Sequence, residues 1–236
     1  MNIEYFDNID STNSYFRRKS NDGTLNKDDA VIAWSQGEGR GRNGRGFYSP
    51  EGGIYLTISY GFKDLNDTSF LSLMPSSSLA LSKLIKSHLG IDTSIKWPND
   101  LLINGKKVVG ILAERTIRGD LILGVGINYN IKEFNAELKD IATSLFYENP
   151  PITKEEFAKV AVETLLNLHT FSENPKLIDE YNKLCLNIGN FTSIKTTYGK
   201  LIKEGLALGV NERGEILISD KNGKISQISS GEVTLH

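Results

Sequence analysis

Gln36-Gly-Glu-Gly-Arg-Gly-Arg-Asn-Gly-Arg-Gly-Phe-Tyr-Ser-Pro50 sets five glycines (Gly37, Gly39, Gly41, Gly44, Gly46) among three arginines (Arg40, Arg42, Arg45). On one side lies the apolar run 30–35, Ala-Val-Ile-Ala-Trp-Ser. On the other lies 53–60, Gly-Ile-Tyr-Leu-Thr-Ile-Ser-Tyr, alternating and β-branched. Both flanks read as strands, so a sheet holds the two ends of a glycine-rich loop. Ordering glycine costs more backbone entropy than ordering any other residue. No apolar side chain before Phe47 offsets that cost, so the loop is expected to be mobile on its own. It offers bare backbone N–H groups and guanidinium forks that match carboxylate and phosphate geometry. It reads as an anion clamp that closes as a lid.

The 236 residues permit one large domain, or one domain with a small appendage. Hydrophobic content is 39% and charged content 24%, ordinary for a globular chain. Net charge is −2, which leaves no global basic field for nucleic acid; anion binding has to be local. Cys185 is the single cysteine, so a disulfide framework is excluded and a reducing compartment, the cytoplasm, is expected. Neither a signal-peptide pattern nor a membrane-spanning run is present.

Upstream of the loop, residues 3–6 read as a strand. Asp10-Ser11-Thr12-Asn13 reads as a turn and N-cap before a helix over 14–19. Ser11 and Thr12 either cap that helix or present hydroxyls to a ligand. Downstream, Leu81, Leu84, Ile85 and Leu89 make one apolar helix face, with Pro75 expected in the first turn. Lys96-Trp97-Pro98-Asn99-Asp100 follows, with a bend expected at 98–100. Asn104-Gly105 between two β-rich runs is a strong hairpin signal. Lys106 reads as a solvated tip and Trp97 as core. Lys107 is either a second tip residue or a cation for a growing phosphate charge. Asp100 could hold a metal or a ribose hydroxyl. Residues 120–129 form a strand in which Gly124 and Gly126 leave room for a close approach. Thr153-Lys-Glu-Glu156 is a capping box, and 175–185 a shorter helix. From about 189, five short β-rich runs (191–196, 200–210, 215–219, 224–228, 232–235) alternate with turns, which predicts a small barrel or sandwich.

Asp10-Ser11-Thr12-Asn13, Gly39-Arg40-Gly41-Arg42-Asn43-Gly44-Arg45, Lys96-Trp97-Pro98-Asn99-Asp100-Leu101, Lys107 with Gly110-Ile111-Leu112, and Gly124-Val125-Gly126-Ile127-Asn128 occur in this order. Together they resemble the signature of biotin protein ligases over essentially the whole chain. Ser230-Gly231-Glu232-Val233 resembles the end of that family's small C-terminal domain.

The resemblance implies an α+β fold. A mixed β-sheet with helices would resemble the catalytic domains of class II aminoacyl-tRNA, biotinyl and lipoyl synthetases, over residues 1–187. A small SH3-like β-barrel would occupy 188–236. It implies an ATP-dependent, AMP-forming enzyme that makes biotinyl-5′-AMP and passes biotin to one lysine of a biotin carboxyl carrier protein. Mg²⁺ is implied, with no ligands assigned. Ser11, Thr12 and Gln36 match positions on biotin's ureido head, with Asn13 beside them. Gly39, Arg40, Gly41, Arg42 and Arg45 match the clamp, and Lys107 the lysine that stabilises charge during adenylation. Asp100 and Asn128 match positions near nucleotide and metal. Gly110 and Ile111 would line the biotin slot.

Two departures stand out. Phe47 replaces a tryptophan common after the clamp, and the chain ends at His236 where relatives often carry a basic residue. No N-terminal winged helix is expected, hence no operator binding and no membrane, and the protein would be a monomer or homodimer. Two other readings are kept: a lipoate ligase of the same fold, and an RNA-binding module using the Arg-Gly loop.

Overall fold

A computed structural model describes residues 2–61, 67–146, 148, 150–171 and 173–235. Its larger sheet has seven strands in the order β1-β2-β3-β7-β6-β5-β4. They are β1 (Ile3–Phe6), β2 (Ala30–Ala33), β3 (Ile54–Gly61), β4 (Ser94–Lys96), β5 (Asp100–Ile103), β6 (Lys106–Arg115) and β7 (Leu121–Ile127). Helix α1 (Thr12–Asn21) crosses between β1 and β2, the one parallel pair of this sheet among the described residues.

The strand pattern decides what each sheet face carries. On β7, Leu121, Leu123, Val125 and Ile127 belong to the main core, with α2 (Asp67–Leu89) and α3 (Lys154–Leu166). Ile122 instead joins Phe16 of α1 and Val31 of β2 in a small second cluster. The period-2 alternation then places Gly124 and Gly126 on the α1 face, with Gly124 against Asn13 in the first turn of the helix. Gly110 and Leu112 of β6 pair with Gly126 and Gly124. With three of these four positions glycine, that part of the face is a trough.

The β5–β6 hairpin turns through Asn104 and Gly105, both at positive φ (50° and 79°), the signature of the mirror-image tight turn that Asn-Gly favours. Thr153 and Glu156 form the expected capping box of α3. Two expectations are corrected. The first helix spans Thr12–Asn21 rather than 14–19. Pro75 lies inside α2 rather than in its first turn. A ring there cannot donate to the carbonyl one turn back. Its Cγ instead packs beside Gly214, where a Cβ would come within 2.6 Å of it.

The helix α4 (Lys176–Leu184) leads to a five-stranded antiparallel sheet, in the order β11-β10-β9-β8-β12. These strands are β8 (Phe191–Lys195), β9 (Leu201–Val210), β10 (Ile216–Ser219), β11 (Ile225–Ile228) and β12 (Glu232–Leu235). This is the small C-terminal β unit that the sequence implied. Ile194, Ala207, Ile216, Ile218 and Val233 belong to the same core cluster as the larger sheet. Trp97, 2% exposed, donates from Nε1 to Gly214 O at 2.9 Å, and its N–H donates to Asn187 Oδ1 at 2.9 Å. The core reading of Trp97 holds, and the two sheets share one interior. No described helix is long and apolar enough to cross a membrane.

Candidate active site

A cavity of about 290 Å³ lies over the glycine trough. Its walls are the start of α1 (Ser11, Thr12, Asn13), Gln36, the loop from Arg40 to Phe47, the Lys96–Asp100 bend, Lys107, Gly110, Ile111 and residues 231–234. Most of the predicted site residues therefore meet in one place.

The capping reading of Ser11 holds. It is the N-cap of α1, its hydroxyl accepting from Ser14 N at 3.4 Å, and it lines the cavity. Thr12 donates from N (2.8 Å) and Oγ1 (3.1 Å) to Gln36 Oε1, and Gln36 Nε2 donates to Ser49 Oγ at 3.0 Å. Asn13 is held on both sides: Thr57 Oγ1 donates to its Oδ1, and its Nδ2 donates to Glu114, each at 2.6 Å. Arg17 pairs with the other oxygen of Glu114. A Cβ on Gly124 would sit 2.1 Å from Asn13 Oδ1, which is why that strand position is bare. Ser11, Thr12 and Asn13 are buried and Gln36 is half-buried, so these donors and acceptors are held in fixed positions at one end of the cavity.

The Arg-Gly loop folds into a short hairpin. Arg40 bridges Gly46, Gly41 N donates to Arg45 O, and Phe47 N donates to Gly39 O, both at 2.8 Å. Its tip is a 3-10 turn, Arg42–Gly44, with Asn43 and Gly44 at positive φ (58° and 76°). Arg42 donates to Asn99 Oδ1 (3.0 Å) and to Gly231 O (2.9 Å). Burial pushes its guanidinium pKa down, against the pull of Asp100 and Glu232. Arg45 pairs with Glu232 at 2.5 Å, and Arg40 stands exposed on the rim. The loop that the sequence predicts to be mobile is seen here laid down over the cavity.

Phe47 covers the trough. A Cβ on Gly126 would meet its ring at 2.4 Å, and one on Gly110 would meet both the ring and the Lys107 side chain at 2.8 Å. The ring packs edge-on against Tyr55, centroids 6.4 Å apart. Phenylalanine therefore keeps the packing role at this departure from the family pattern.

Lys107 Nζ lies 2.6 Å from Asp100 Oδ1 and 5.4 Å from the Phe47 ring centroid. Lys107 thus lines the cavity, and Lys106 is not the solvated tip the sequence suggested: it opens β6 after the Asn104–Gly105 turn, half-buried, with Nζ donating to Lys139 O at 2.8 Å. The backbone of Lys107 is fixed by Ile141 O (2.8 Å) and by Thr143 N (2.9 Å).

Two predicted residues stay out of the cavity lining. Gly39 is buried behind the loop, where a Cβ would meet Phe47 O and Ser49 Oγ at 2.4 Å. Asn128 is buried behind Lys107 and donates from Nδ2 to Thr143 O (3.0 Å) and Lys107 O (3.3 Å). Both act on the backbone that carries the site. Ile111 lines the wall while its side chain belongs to the main core.

Sequence reasoning did not single out Asn99, Lys96 or residues 231–234 as walls. The first two lie within a motif already noted. The last reach the cavity by a contact 189 residues long in sequence, which no local pattern announces.

Five cations (Lys96, Lys107, Arg40, Arg42, Arg45) and two carboxylates (Asp100, Glu232) line the cavity, so a chain of net charge −2 carries a locally positive pocket. A model of the biotin/lipoate A/B protein ligase family matches residues 5–130, more than half of the sequence. The chain belongs to that family. The bifunctional ligase/repressor BirA of Bacillus spizizenii is 36% identical over all of this chain and 74% of its own length. The biotin–[acetyl-CoA-carboxylase] ligase of Mycobacterium tuberculosis is 28% identical over 86% of this chain and 77% of its own. The biotin protein ligase from Aquifex aeolicus, solved with biotin and ATP, superposes with a TM-score of 0.83 at 28% identity. It covers 100% of this chain and 98% of its own. Within the family the chain therefore groups with the biotin protein ligases, which are enzymes.

Proposed function

We propose that the chain joins biotin to ATP and hands the biotinyl group to one lysine of a biotin carboxyl carrier protein. In the first half, a biotin carboxylate oxygen attacks the α-phosphorus of ATP. The bond to that oxygen forms, the bond to the pyrophosphate oxygen breaks, and biotinyl-5′-AMP results. In the second half, a neutral lysine ε-amine of the carrier attacks the acyl carbon, AMP leaves with the bonding pair, the nitrogen gives up one proton to solvent, and an amide remains.

Each residue has a physical task. Ser11, Thr12, Asn13 and Gln36 form the polar end of the slot, with Gly39 supporting Gln36 and Ser49. Gly110 and the backbone of Ile111 line the part of the slot that takes the apolar body, beside the Phe47 ring. Arg40, Gly41 and Arg42 surround the carboxylate and phosphate, where guanidinium forks and bare N–H groups suit two anions that must be brought together, while Arg45 belongs to the same loop but pairs with Glu232. Lys107 faces charge that grows on phosphorus, and a preorganised cation in a water-poor site acts most strongly there. Asn128 serves through the Lys107 backbone.

Magnesium fits as an ion shared with the nucleotide, for this metal is often bound by one or two carboxylates with phosphates and water. Asp100, paired with Lys107 here, would be the carboxylate to hold it, and the ion would offset phosphate charge. Residues 1–187 would hold both small molecules, and residues 188–236 would supply the far wall. A reducing cytoplasm suits the single cysteine, Cys185, which is buried.

The observation that carries the proposal is the meeting of Arg42, Lys107 and Asp100 above the glycine trough. Exchange of labelled pyrophosphate into ATP tests it: exchange should require biotin and be unaffected by lipoate. Exchange without biotin would refute adenylation of biotin, and exchange driven by lipoate would install the other branch of the family.

A further inference from the structure

The Arg-Gly loop does not rest on the larger sheet alone. Two of its arginines reach Gly231 and Glu232, where β12 of the C-terminal sheet begins. Arg42 Nη2 donates to Gly231 O at 2.9 Å, and Arg45 Nη2 lies 2.5 Å from Glu232 Oε1. Glu232 pairs in register with Lys195 of β8, yet its carboxylate sits against Arg45. The backbone at Gly231 comes so near β8 that a Cβ would lie 2.3 Å from Ile194 Cγ2. That close approach sets where the carbonyl meets Arg42 and where Glu232 begins the strand. Val233 is buried in the shared core, so this edge of the sheet is rigidly based.

We propose that Glu232 is a positioning residue: through Arg45 it ties the Arg-Gly loop to the C-terminal sheet and so sets how long the closed loop retains the adenylate. The inference rests on the adenylating function proposed above. Arg45, on this view, spends its charge on Glu232, while Arg42 makes neutral contacts only, to Asn99 and to the Gly231 carbonyl. The pair is partly solvated, with side-chain exposures of 61% and 31%. Its contribution is therefore modest, and removing one charge should matter by about fivefold.

Two readouts test this. The first is amide hydrogen exchange over residues 41–46 in the protein alone, so it does not depend on the identity of any substrate. Glu232→Gln should speed exchange about fivefold with an unchanged melting temperature, because only the tie to the loop is lost. The second is release of preformed adenylate. Glu232→Arg, which sets like charges together, should speed release about tenfold, and the swap Glu232→Arg with Arg45→Glu should return it to within about threefold. Unchanged exchange in Glu232→Gln would overturn the proposal. So would a swap that fails to restore retention, since Arg45 would then be acting on the ligand itself. Biotin-dependent adenylate formation by the unaltered protein separates the two questions: its absence refutes the adenylating reading, while the loop exchange still judges the tie.

Discussion

Lys107 is the residue on which the proposed chemistry turns. Its ammonium is 2.6 Å from Asp100 and its backbone is anchored by Ile141, Thr143 and Asn128. Truncating it removes a charge without disturbing those anchors. Lys107→Ala should lower biotin-dependent pyrophosphate exchange by about a hundredfold or more, with the melting temperature nearly unchanged. A loss of less than about threefold would assign the charge stabilisation elsewhere. Gly126 makes the complementary case for space. A methyl there would meet the Phe47 ring at 2.4 Å, and that ring sits on a loop able to yield. Gly126→Ala should therefore weaken biotin binding by about tenfold or more, read by calorimetry, while the fold persists. Individual residues of this kind were legible because each belongs to a short motif. Asn128 shows the limit: its motif was clear, but whether its amide faces a ligand or the backbone of Lys107 depends on a strand pairing that no single segment contains.

At the scale of elements, the Arg-Gly loop combines high ordering cost with few anchors. Its internal hydrogen bonds, Gly41 N to Arg45 O and Phe47 N to Gly39 O, hold the hairpin's shape. Its position depends on Arg42 and Arg45. Residues 40–46 should exchange their amide hydrogens quickly in the free protein and become protected when biotin and ATP are added together. Equal exchange in both states would mean the loop does not function as a lid. The strands and capped helices around it could be read from the sequence, because alternation, a capping box and Asn-Gly each act within a few residues. Pro75 was misplaced for the opposite reason. A proline inside a helix is disfavoured locally, and what accommodates it here, packing against Gly214, lies across the molecule.

The whole molecule is one interior shared by two sheets, and its buried tyrosines give that interior a pH signature. Tyr55, Tyr60 and Tyr129 donate to the carbonyls of Pro50, Leu165 and Ile152, and Tyr181 is fully buried. Burial raises the pKa of all four, Tyr129 up to about 12. In the unfolded chain the same phenols ionise near 10. Proton loss therefore favours unfolding, and stability should hold below pH 10 and fall as pH climbs from about 10 toward 12. Urea unfolding at a series of pH values checks this; a midpoint that stays level to pH 11.5 would contradict it. The composition of the small C-terminal sheet was readable from its short runs and turns. Its role as a cavity wall was not, because β12 meets the Arg-Gly loop only after the full chain has folded.

Incubation of the protein with biotin, ATP and a biotin carboxyl carrier domain, followed by peptide mass spectrometry of the carrier, tests the proposed reaction most directly. Biotin should appear as an amide on a single lysine, only when ATP is present, and not with Lys107→Ala over the same interval. An unmodified carrier alongside an active positive-control ligase, or modification that proceeds without ATP, would contradict it.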